Sequence, residues 1–555
     1  MNANIEAVLF DMGGTLRYTM SRTPAEQAQL YEQMMALIGA RQPVEDFSSM
    51  LGERARAYKE WAGKTHVELK ESDLWTRWML PDYPPEQITQ AAVQLNQLYR
   101  ESLGQRIPFP ETREVIIELF RRGYRLGLVS NTTSSVEVPA MLRELRLSGL
   151  FETVILSAVS GVRKPSPGLL LEAAARMGVA PQKCAYIGDR VDRDLAAARE
   201  AGFAAAVIID QAQPERIAVE NTSWSPDAVI VNLRELLSIF PARPAPQPET
   251  VYDAALSTMY AIDNFPNLAD FFEFARRAGF ARVELNHKVT TAMLEDIDLR
   301  CCPISSVHEP CPADISESEL KRRGWLISAV DEAARIEGVN AIKRSIDLAR
   351  RAEAKVVVIH AGEAIPDTQK LERKLRAMVE SRDTNPAHYR AIQAQMIDLR
   401  SEAAPASFAA VKRSIQELLA YADGTDITLG LENRYHFLEI PSPDELEILL
   451  GLAGPERIGF VYDIGHAFTL EHLGFYPARV WLDRFAGRTV LTHLHDLINT
   501  TDHYAPGLGT ADFRMAGERL GEDVFRTCEI QTFNLPEHVK AGLQYLALQG
   551  CINTL

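Results

Sequence analysis

Cysteine is scarce in this sequence, with six residues in a chain of 555. Cys301 and Cys302 are adjacent and Cys311 follows nearby, but no CxxC pair occurs. So few and so scattered cysteines exclude a disulfide framework, and we expect reduced, mostly buried thiols.

The sequence also lacks an apolar run of the length that a membrane span needs. Met1-Asn-Ala-Asn leads directly into the first apolar run, without the basic and apolar regions of a secretory leader. The chain has fewer basic residues (59 Lys and Arg) than acidic ones (75 Asp and Glu), so its formal net charge is −16. This charge argues against a surface that binds nucleic acid. We therefore predict a cytoplasmic protein without a nucleic-acid or membrane partner.

The length of 555 residues exceeds what one hydrophobic core supports, so at least two domains are expected. The clearest boundary is Pro241–Pro248, where four of eight residues are proline and favour a semi-rigid polyproline segment. We predict a first domain at 1–240, a linker at 241–250 and a second domain at 251–555.

The first domain alternates apolar strands with helices, which predicts a doubly wound parallel α/β sheet. Its strands are predicted at Val8–Phe10, Arg125–Val129, Val154–Leu156, Cys184–Ile187 and Ala204–Ile209. Between about residues 19 and 105 the pattern becomes amphipathic and helical, with segments at Ala25–Ile38, Met50–Trp61 and Glu86–Leu103. This stretch is predicted to be a helical cap inserted after the first strand.

Polar residues stand at the ends of these strands, where open α/β sheets bind ligands. In chain order they are Asp11, Ser130, Asn131, Lys164, Asp189 and Asp194. The ordered set, over about residues 4–238, resembles the haloacid dehalogenase-like hydrolase superfamily with a helical cap. The resemblance implies that Asp11 is the nucleophile, that Ser130, Asn131 and Lys164 hold phosphoryl oxygens, and that Asp11, Asp189 and Asp194 bind Mg²⁺. An attacking carboxylate needs such cations to offset its own charge and that of a phosphate.

The sequence departs from the phosphatases of this superfamily at Gly13, where they carry an aspartate that protonates the leaving group. Loss of a general acid or base typically costs about 10²–10⁴-fold in rate. Three alternatives stay open: a phosphatase with another acid from the cap, a different leaving group, or a regulatory phosphate-binding domain with little turnover.

The second domain contains eight strand-like runs that alternate with helices, which predicts a (β/α)₈ barrel. The predicted strands are Ala255–Met259, Arg282–Leu285, Ile304–Val307, Lys355–Ile359, Ile427–Leu431, Ile458–Val461, Thr489–Leu494 and Thr527–Ile530. The helical stretch Asp367–Ala404 is predicted to be an insertion after the fourth strand.

His, Asp and Glu residues follow these strands one after another. They are Glu284, His308, His360, Glu432, Asp463, His466, His493, His495, Asp496 and Glu529. Because the carboxyl ends of barrel strands converge on one mouth, and buried unpaired charges are costly, the series predicts a metal site.

Short motifs in this region, about residues 250–553, resemble the xylose isomerase-like barrels, which include sugar isomerases, epimerases, some dehydratases and endonuclease IV. The motifs are Leu431-Glu432-Asn433, Asp463-Ile464-Gly465-His466, His493-Leu494-His495-Asp496, Gly507-Leu508-Gly509 and Glu529. The resemblance implies that Glu432, Asp463, His493 and Glu529 bind one divalent metal, Mn²⁺, Mg²⁺, Co²⁺ or Zn²⁺, with His308 and His360 as possible further ligands.

The implied function is a two-domain protein of carbohydrate metabolism whose barrel isomerises or epimerises a sugar or sugar phosphate. Glu432 and Glu529 would move a proton on the substrate, and His466 would hold a substrate hydroxyl or a metal ligand. A dehydratase remains an alternative because elimination uses the same metal and base. An endonuclease IV-like enzyme is less favoured for two reasons. The acidic net charge argues against a DNA substrate, and the Asp-x-His motif that holds the third zinc ion in endonuclease IV corresponds here to Asp512-Phe513-Arg514, without the histidine.

Overall fold

The structure is a computed structural model that describes residues 4–210, 224–295, 297–365, 369–381 and 385–555. The chain divides into two compact units, the front unit at residues 1–246 and the barrel unit at 247–555. Over the described ranges, none of the helices is both long and apolar enough to cross a bilayer.

The front unit contains a six-stranded parallel sheet and a separate two-stranded antiparallel pair. Its strands are β1 (Ala7–Phe10), β2 (Arg17–Met20), β3 (Gln105–Pro108), β4 (Arg125–Ser130), β5 (Phe151–Leu156), β6 (Cys184–Gly188), β7 (Ala205–Ile209) and β8 (Ala228–Ile230). The sheet order is β5-β4-β1-β6-β7-β8, which confirms the predicted parallel α/β sheet. Strand β8 was not predicted, because it is only three residues long and one of them, Val229, is exposed.

Helices connect the parallel strands of the front unit, and further helices form its cap. They are α1 (Pro24–Ile38), α2 (Val44–Thr65), α3 (Glu71–Leu74), α4 (Pro85–Ser102), α5 (Thr112–Arg121), α6 (Glu137–Glu144), α7 (Ser157–Ser160), α8 (Gly168–Arg176), α9 (Ala196–Glu200) and α10 (Leu236–Ile239). Helices α1 to α4 lie between the paired strands β2 and β3 and pack around their own core, which includes Met34, Phe47 and Trp75.

Local sequence signals explain where the first cap helix begins and ends. Thr23 accepts a hydrogen bond from the Glu26 backbone while the Glu26 carboxylate accepts one from the Thr23 backbone, which forms a capping box. Pro24 occupies the first helical turn, where its missing N–H costs nothing. Gly39 then ends the helix with a left-handed φ of 68°.

Glu137, at the start of α6, joins the sheet region to the cap through three arginines. Its carboxylate contacts Arg17 of β2, Arg100 of α4 at 2.7 Å and Arg106 of β3 at 3.9 Å. Burial alone would raise the pKa of Glu137, but the hydrogen bonds and positive charge of Arg100, Arg17 and Arg106 lower it to about 2.

Because this pKa lies below the value in an unfolded chain, Glu137 stabilises the front unit above pH ~4.3 and loses that effect as pH falls toward 2. The contribution is at most about 3 kcal/mol, from roughly 1.4 kcal/mol per pKa unit. We expect the destabilisation caused by Glu137→Gln to be largest at pH 7 and to shrink at pH 3. Urea unfolding of the full chain at both pH values measures this, and a pH-independent difference would contradict it.

The barrel unit closes eight parallel strands into a barrel and adds one short hairpin. Its strands are β9 (Tyr252–Ser257), β10 (Phe280–Leu285), β11 (Ile304–His308), β12 (Val356–Ile359), β13 (Thr428–Glu432), β14 (Ile458–Asp463), β15 (Thr489–His493), β16 (Asp496–Ile498), β17 (Thr501–Tyr504) and β18 (Phe525–Cys528). Strands β16 and β17 form the hairpin, and the other eight form the barrel, which confirms the predicted (β/α)₈ architecture.

The helices of the barrel unit follow its strands in alternation. They are α11 (Leu268–Ala278), α12 (Thr291–Leu294), α13 (Glu317–Arg323), α14 (Glu332–Ala352), α15 (Gln369–Ser381), α16 (Pro386–Tyr421), α17 (Pro443–Leu450), α18 (Ile464–His472), α19 (Arg479–Phe485), α20 (Phe513–Gly517) and α21 (Pro536–Leu548).

Two predicted boundaries of the barrel unit shift for local reasons. The first strand ends at Ser257 instead of Met259, because the Ser257 side chain accepts from the Met259 backbone and begins a short 3₁₀ turn. The predicted helical insertion after the fourth strand corresponds to α15 and the first part of α16, while its residues 367–368 and 382–384 lie outside the described ranges. Helix α16 continues past Ala404 to Tyr421 and contains Pro405.

Candidate functional site

The front unit brings Asp11, Lys164 and Asp194 together at the carboxyl ends of its central strands. Asp11 follows β1, and the fully buried Lys164 ammonium donates to Asp11 Oδ1 at 2.8 Å and lies 2.7 Å from Asp194 Oδ1. Lys164 also donates to the Tyr186 hydroxyl at 2.6 Å and to the Val129 carbonyl at 3.1 Å. All its hydrogen-bonding capacity is therefore used inside the protein.

Arg193, which the sequence did not single out, lies among the predicted Mg²⁺ ligands. Its Nη2 is 2.8 Å from Asp11 Oδ2, 2.9 Å from Asp189 Oδ1 and 2.8 Å from Asp194 Oδ2. The carboxylates that the resemblance assigns to Mg²⁺ each offer an oxygen within 4.8 Å of the others, and the guanidinium of Arg193 contacts all three of them. A basic residue inside an acidic motif is visible in the sequence, but the pattern does not show which way its guanidinium turns.

The residues predicted to hold phosphate have different surroundings. Ser130 ends β4 and is buried. The Asn131 side chain accepts from the Lys164 backbone N–H at 2.9 Å and donates to the Lys164 carbonyl at 2.8 Å, so it positions the Lys164 backbone. Among the described residues, and apart from its chain neighbours, no atom lies within 4 Å of where a Cβ of Gly13 would stand.

A cavity of about 650 Å³ lies between the cap and the sheet region of the front unit, with Asn131 in its wall. Glu68, from the cap, also lines this cavity and is 3% exposed. Its carboxylate accepts from Tyr58 at 2.5 Å, and burial raises its pKa. Glu68 is therefore a buried cap carboxyl of the kind that the first alternative for Gly13 requires.

The barrel mouth brings together the four residues predicted to bind one metal. Glu432, Asp463, His493 and Glu529, the four-ligand group, each offer an atom within 4.8 Å of the others, and all are buried. His493 Nδ1 lies 2.6 Å from Glu432 Oε1, 3.3 Å from Glu529 Oε2 and 3.6 Å from Asp463 Oδ2. Glu284, a strand-end residue without an assigned role, lies 3.2 Å from Nε2 of the same ring and so orients it.

The four-ligand group fits a divalent cation. Glu529 Oε1 is buried and has no hydrogen-bond partner in the part of the chain that the structure describes, which is rare for a buried carboxylate oxygen. His360 Nε2 lies 2.7 Å from Glu432 Oε2, so this imidazole is in direct contact with a carboxylate of the group. Carboxylate and imidazole ligands in this number suit Zn²⁺, Mn²⁺, Co²⁺ or Mg²⁺.

A second group, His308, His360 and Glu432, shares Glu432 with the first and also offers ligand atoms within 4.8 Å. His308 Nδ1 pairs with the Glu309 carbonyl at 2.9 Å, which leaves Nε2 facing Glu432 at 3.9 Å. Burial lowers the pKa of His308 well below its usual value, and a neutral imidazole is the form that binds metal.

A third group, His466, His495, Asp502 and His503, was missed in part by the sequence reasoning. Asp502 and His503 lie on β17, in the hairpin that follows the seventh barrel strand. The Asp-x-His position considered for a third zinc site, Asp512, instead caps α20 by accepting from the Met515 backbone at 3.0 Å. The adjacent Asp-His pair is visible in the sequence soon after His495, but the pattern does not show that a hairpin brings it to the barrel mouth.

Several buried ionisable groups at the mouth have shifted pKa values. Burial raises the pKa of Glu529 to about 8 and lowers that of His503 to about 4. Burial also opposes a charged His495, but Asp463 outweighs it and raises the pKa of His495 to about 9. His466 Nδ1 pairs with the Asn433 carbonyl at 3.0 Å, which directs its Nε2 toward Asp502 at 3.7 Å.

Asp496 has a structural role in the loop that follows the hairpin. Its carboxylate accepts from the backbone of Gly507 at 2.9 Å, Gly509 at 2.8 Å and Ala511 at 3.0 Å. A Cβ at Gly509 would stand 2.1 Å from the Leu497 carbonyl oxygen, so this close approach requires glycine. The Gly-Leu-Gly motif therefore shapes the loop around Asp496.

Gly465 is required for the position of His495. A Cβ at Gly465 would stand 2.1 Å from Cε1 of the His495 ring, which is itself held by Asp463 at 2.9 Å. We expect Gly465→Ala to displace His495 and to lower bound metal and barrel activity by about 10–100-fold, the usual effect of disturbing an orienting contact. Gly487→Ala is the matched control, because no described atom outside its own local backbone lies within 4 Å of its Cβ position. Equal effects of the two substitutions would contradict this role.

Comparisons with known families agree with the two folds. A family profile described as haloacid dehalogenase-like hydrolase matches residues 5–202, and one described as xylose isomerase-like TIM barrel matches residues 269–548. The second match spans half of the 555 residues. The chain belongs to the xylose isomerase-like TIM barrel family, and a haloacid dehalogenase-like hydrolase domain precedes its barrel.

Individual relatives cover one part of the chain each. Glyceraldehyde 3-phosphate phosphatase of Methanopyrus kandleri is 29% identical over 235 residues, 42% of this chain and 97% of that protein. Phosphoglycolate phosphatase of Nitrosococcus oceani is 34% identical over 143 residues, 26% of this chain and 61% of that protein.

Two solved structures show the same partial coverage. The 2-haloacid dehalogenase of Pseudomonas syringae pv. Tomato DC3000 has 25% identity and a TM-score of 0.32 over 42% of this chain and 97% of its own. The 3-keto-D-glucoside 4-epimerase of E. coli has 18% identity and a TM-score of 0.38 over 53% of this chain and 99% of its own.

Proposed function

We propose that the barrel unit is a metal-dependent isomerase or epimerase that acts on a sugar or sugar phosphate. The supporting observation is that Glu432 and Glu529, two buried carboxylates, lie in one group with Asp463 and His493 at the barrel mouth. Two carboxylates on either side of a substrate carbon can remove its proton and return it to a different position or face.

In this proposal the residues at the barrel mouth hold the metal, move the proton and bind the substrate. A divalent metal held by the group would polarise a substrate carbonyl and acidify the neighbouring C–H. Glu432 and Glu529 accept and return the proton, and Glu284 keeps the His493 ring in place. His466, held by the Asn433 carbonyl, offers its other ring nitrogen to a substrate hydroxyl or to a ligand.

Solvent deuterium tests the proton transfer directly. The full chain, loaded in turn with each of the four metals, is incubated in D₂O with sugars and sugar phosphates, and NMR follows the products. We expect carbon-bound deuterium in an isomerised product and its loss in Glu529→Gln. A product that has lost water would identify a dehydratase instead, and no exchange with any substrate of the panel would contradict the proposal.

A second candidate is hydrolysis of a phosphodiester, and the second and third ligand groups favour it. Together with the four-ligand group they offer His and carboxylate ligands for more than one ion, an arrangement used in metal-assisted hydrolysis. Asp502→Asn separates the two candidates, because it removes a ligand of the third group only. Zn²⁺-dependent incision of abasic-site DNA that this substitution abolishes would establish hydrolysis and overturn the isomerase.

For the front unit we propose that it handles the phosphate group of a sugar phosphate, by slow hydrolysis or by binding alone. Its phosphatase relatives and the buried Glu68 support a phosphate-ester substrate, while Gly13 supports little turnover. Phosphate release by the full chain, compared with Asp11→Asn, tests this. Robust release that Asp11→Asn abolishes would refute the regulatory alternative.

We also propose a cytoplasmic location. It is supported by Cys184, Cys311, Cys528 and Cys551, which are buried and form no disulfide among the described residues.

A further inference from the structure

The front unit contains a guanidinium group at the centre of its acidic cluster. Nη2 of Arg193 lies 2.8 Å from Asp11 Oδ2, 2.9 Å from Asp189 Oδ1 and 2.8 Å from Asp194 Oδ2. Nε of the same side chain donates to Asp194 Oδ1 at 3.2 Å. One nitrogen atom therefore contacts an oxygen of every carboxylate in the cluster.

The remaining oxygens of Asp11 and Asp194 are also in use. Lys164 lies 2.8 Å from Asp11 Oδ1 and 2.7 Å from Asp194 Oδ1, and its side chain is fully buried. The Arg190 backbone N–H donates to Asp194 Oδ2 at 3.1 Å. Both oxygens of Asp11 and both of Asp194 thus already contact a cationic nitrogen.

The third carboxylate has little room to adjust. Asp189 Oδ2 lies 2.2 Å from where a Cβ of Gly14 would stand, so this side chain packs directly against the glycine turn that follows Asp11. Mg²⁺ needs oxygen ligands at about 2.0–2.1 Å in near-octahedral geometry. An ion at the point shared by the three carboxylates would occupy the space of Arg193 Nη2.

We infer that Arg193 is the resident cation of the front site. It holds Asp11, Asp189 and Asp194 together without a metal ion, and its guanidinium occupies the position that a divalent ion would need. Arg193 is a positioning residue in this scheme, because it orients the Asp11 carboxylate together with Lys164. The inference concerns the same site as the phosphate proposal for the front unit, but ion counting tests it independently of turnover.

Counting bound Mn²⁺ in the full chain tests this inference, with Mn²⁺ as a probe for Mg²⁺. Equilibrium dialysis and metal analysis compare the wild type with Asp189→Asn, Arg193→Asn and the double variant. The barrel contributes equally to all four proteins, so differences report the front unit. We expect equal numbers for the wild type and Asp189→Asn, one additional ion per chain in Arg193→Asn, and loss of that ion in the double variant.

Two results would overturn the inference. One is a wild type that binds one ion more than Asp189→Asn, since this ion would occupy the cluster despite Arg193. The other is an Arg193→Asn protein that keeps its front-unit unfolding transition yet gains no ion. If Arg193→Asn does not fold, the comparison of the wild type with Asp189→Asn decides alone, because Asp189 is partly exposed and outside the buried core.

Discussion

Glu432→Gln should remove the metal-dependent activity that we propose for the barrel, with a loss of about 10²–10⁴-fold, the range for a missing general base. The effect is large because Glu432 belongs to two ligand groups at once, with Asp463, His493 and Glu529 and with His308 and His360. Glutamine keeps the shape of the side chain but not its charge, so bound divalent metal per chain should fall as well. Metal analysis and the deuterium assay on the same protein preparation measure both effects.

Glu372→Gln is the matched control for this substitution. Glu372 is also a buried glutamate of the barrel unit next to a histidine, since it lies 2.7 Å from His436 Nδ1 and accepts from Arg376. It belongs to none of the ligand groups found among the described residues. We expect a lower stability of the barrel unit but unchanged metal content. Equal metal loss in both variants would mean that unfolding, rather than loss of a ligand, explains the effect of Glu432→Gln.

Lys164→Met should destabilise the front unit by about 3–5 kcal/mol, the usual cost of breaking a buried ion pair. The substitution leaves Asp11 and Asp194, both buried, without the ammonium that contacts each of them. For a unit of this size the loss corresponds to roughly 6–20 °C in Tm. Calorimetry of the full chain, with the front-unit transition identified by its response to Glu137→Gln, measures the change.

Lys183→Met is the matched control for Lys164→Met, because it removes a lysine ion pair of similar length at the surface of the front unit. Lys183 lies 2.7 Å from Glu6, but its side chain is 41% exposed. Exposed pairs contribute about 0–1 kcal/mol, so the transition should hardly move. A shift as large as that of Lys164→Met would show that burial of the pair is not the cause.

Much of the fold can be predicted from the sequence. The spacing of apolar residues and the polar residues at the ends of the apolar runs indicate the same strands along the chain. The barrel strands were recognised as apolar runs that end in a polar residue, as in Val356–Ile359 followed by His360. What could not be predicted depends on length or on single side-chain contacts. Strand β8 is too short to produce a pattern, and the end of β9 is fixed by one Ser257 hydrogen bond.

In the candidate sites, too, residues whose position depends on single side-chain contacts could not be predicted from the sequence. Residues directly at strand ends, such as Glu432 and Glu529, could be predicted, because the topology alone brings them to one mouth. Asp502 and His503 could not, because they reach the mouth through a hairpin whose path depends on loop contacts around Asp496. Arg193 could not either, because its sequence position gives no indication that its guanidinium turns toward Asp11.

We propose that the barrel mouth binds a divalent metal. Metal analysis of the purified full chain, after dialysis against Zn²⁺, Mn²⁺, Co²⁺ and Mg²⁺ in turn, tests this most directly. We expect at least one tightly bound ion per chain with one of these metals, and its loss in Asp463→Asn. A folded chain that retains none of the four, or that retains the same amount after Asp463→Asn, would contradict the account.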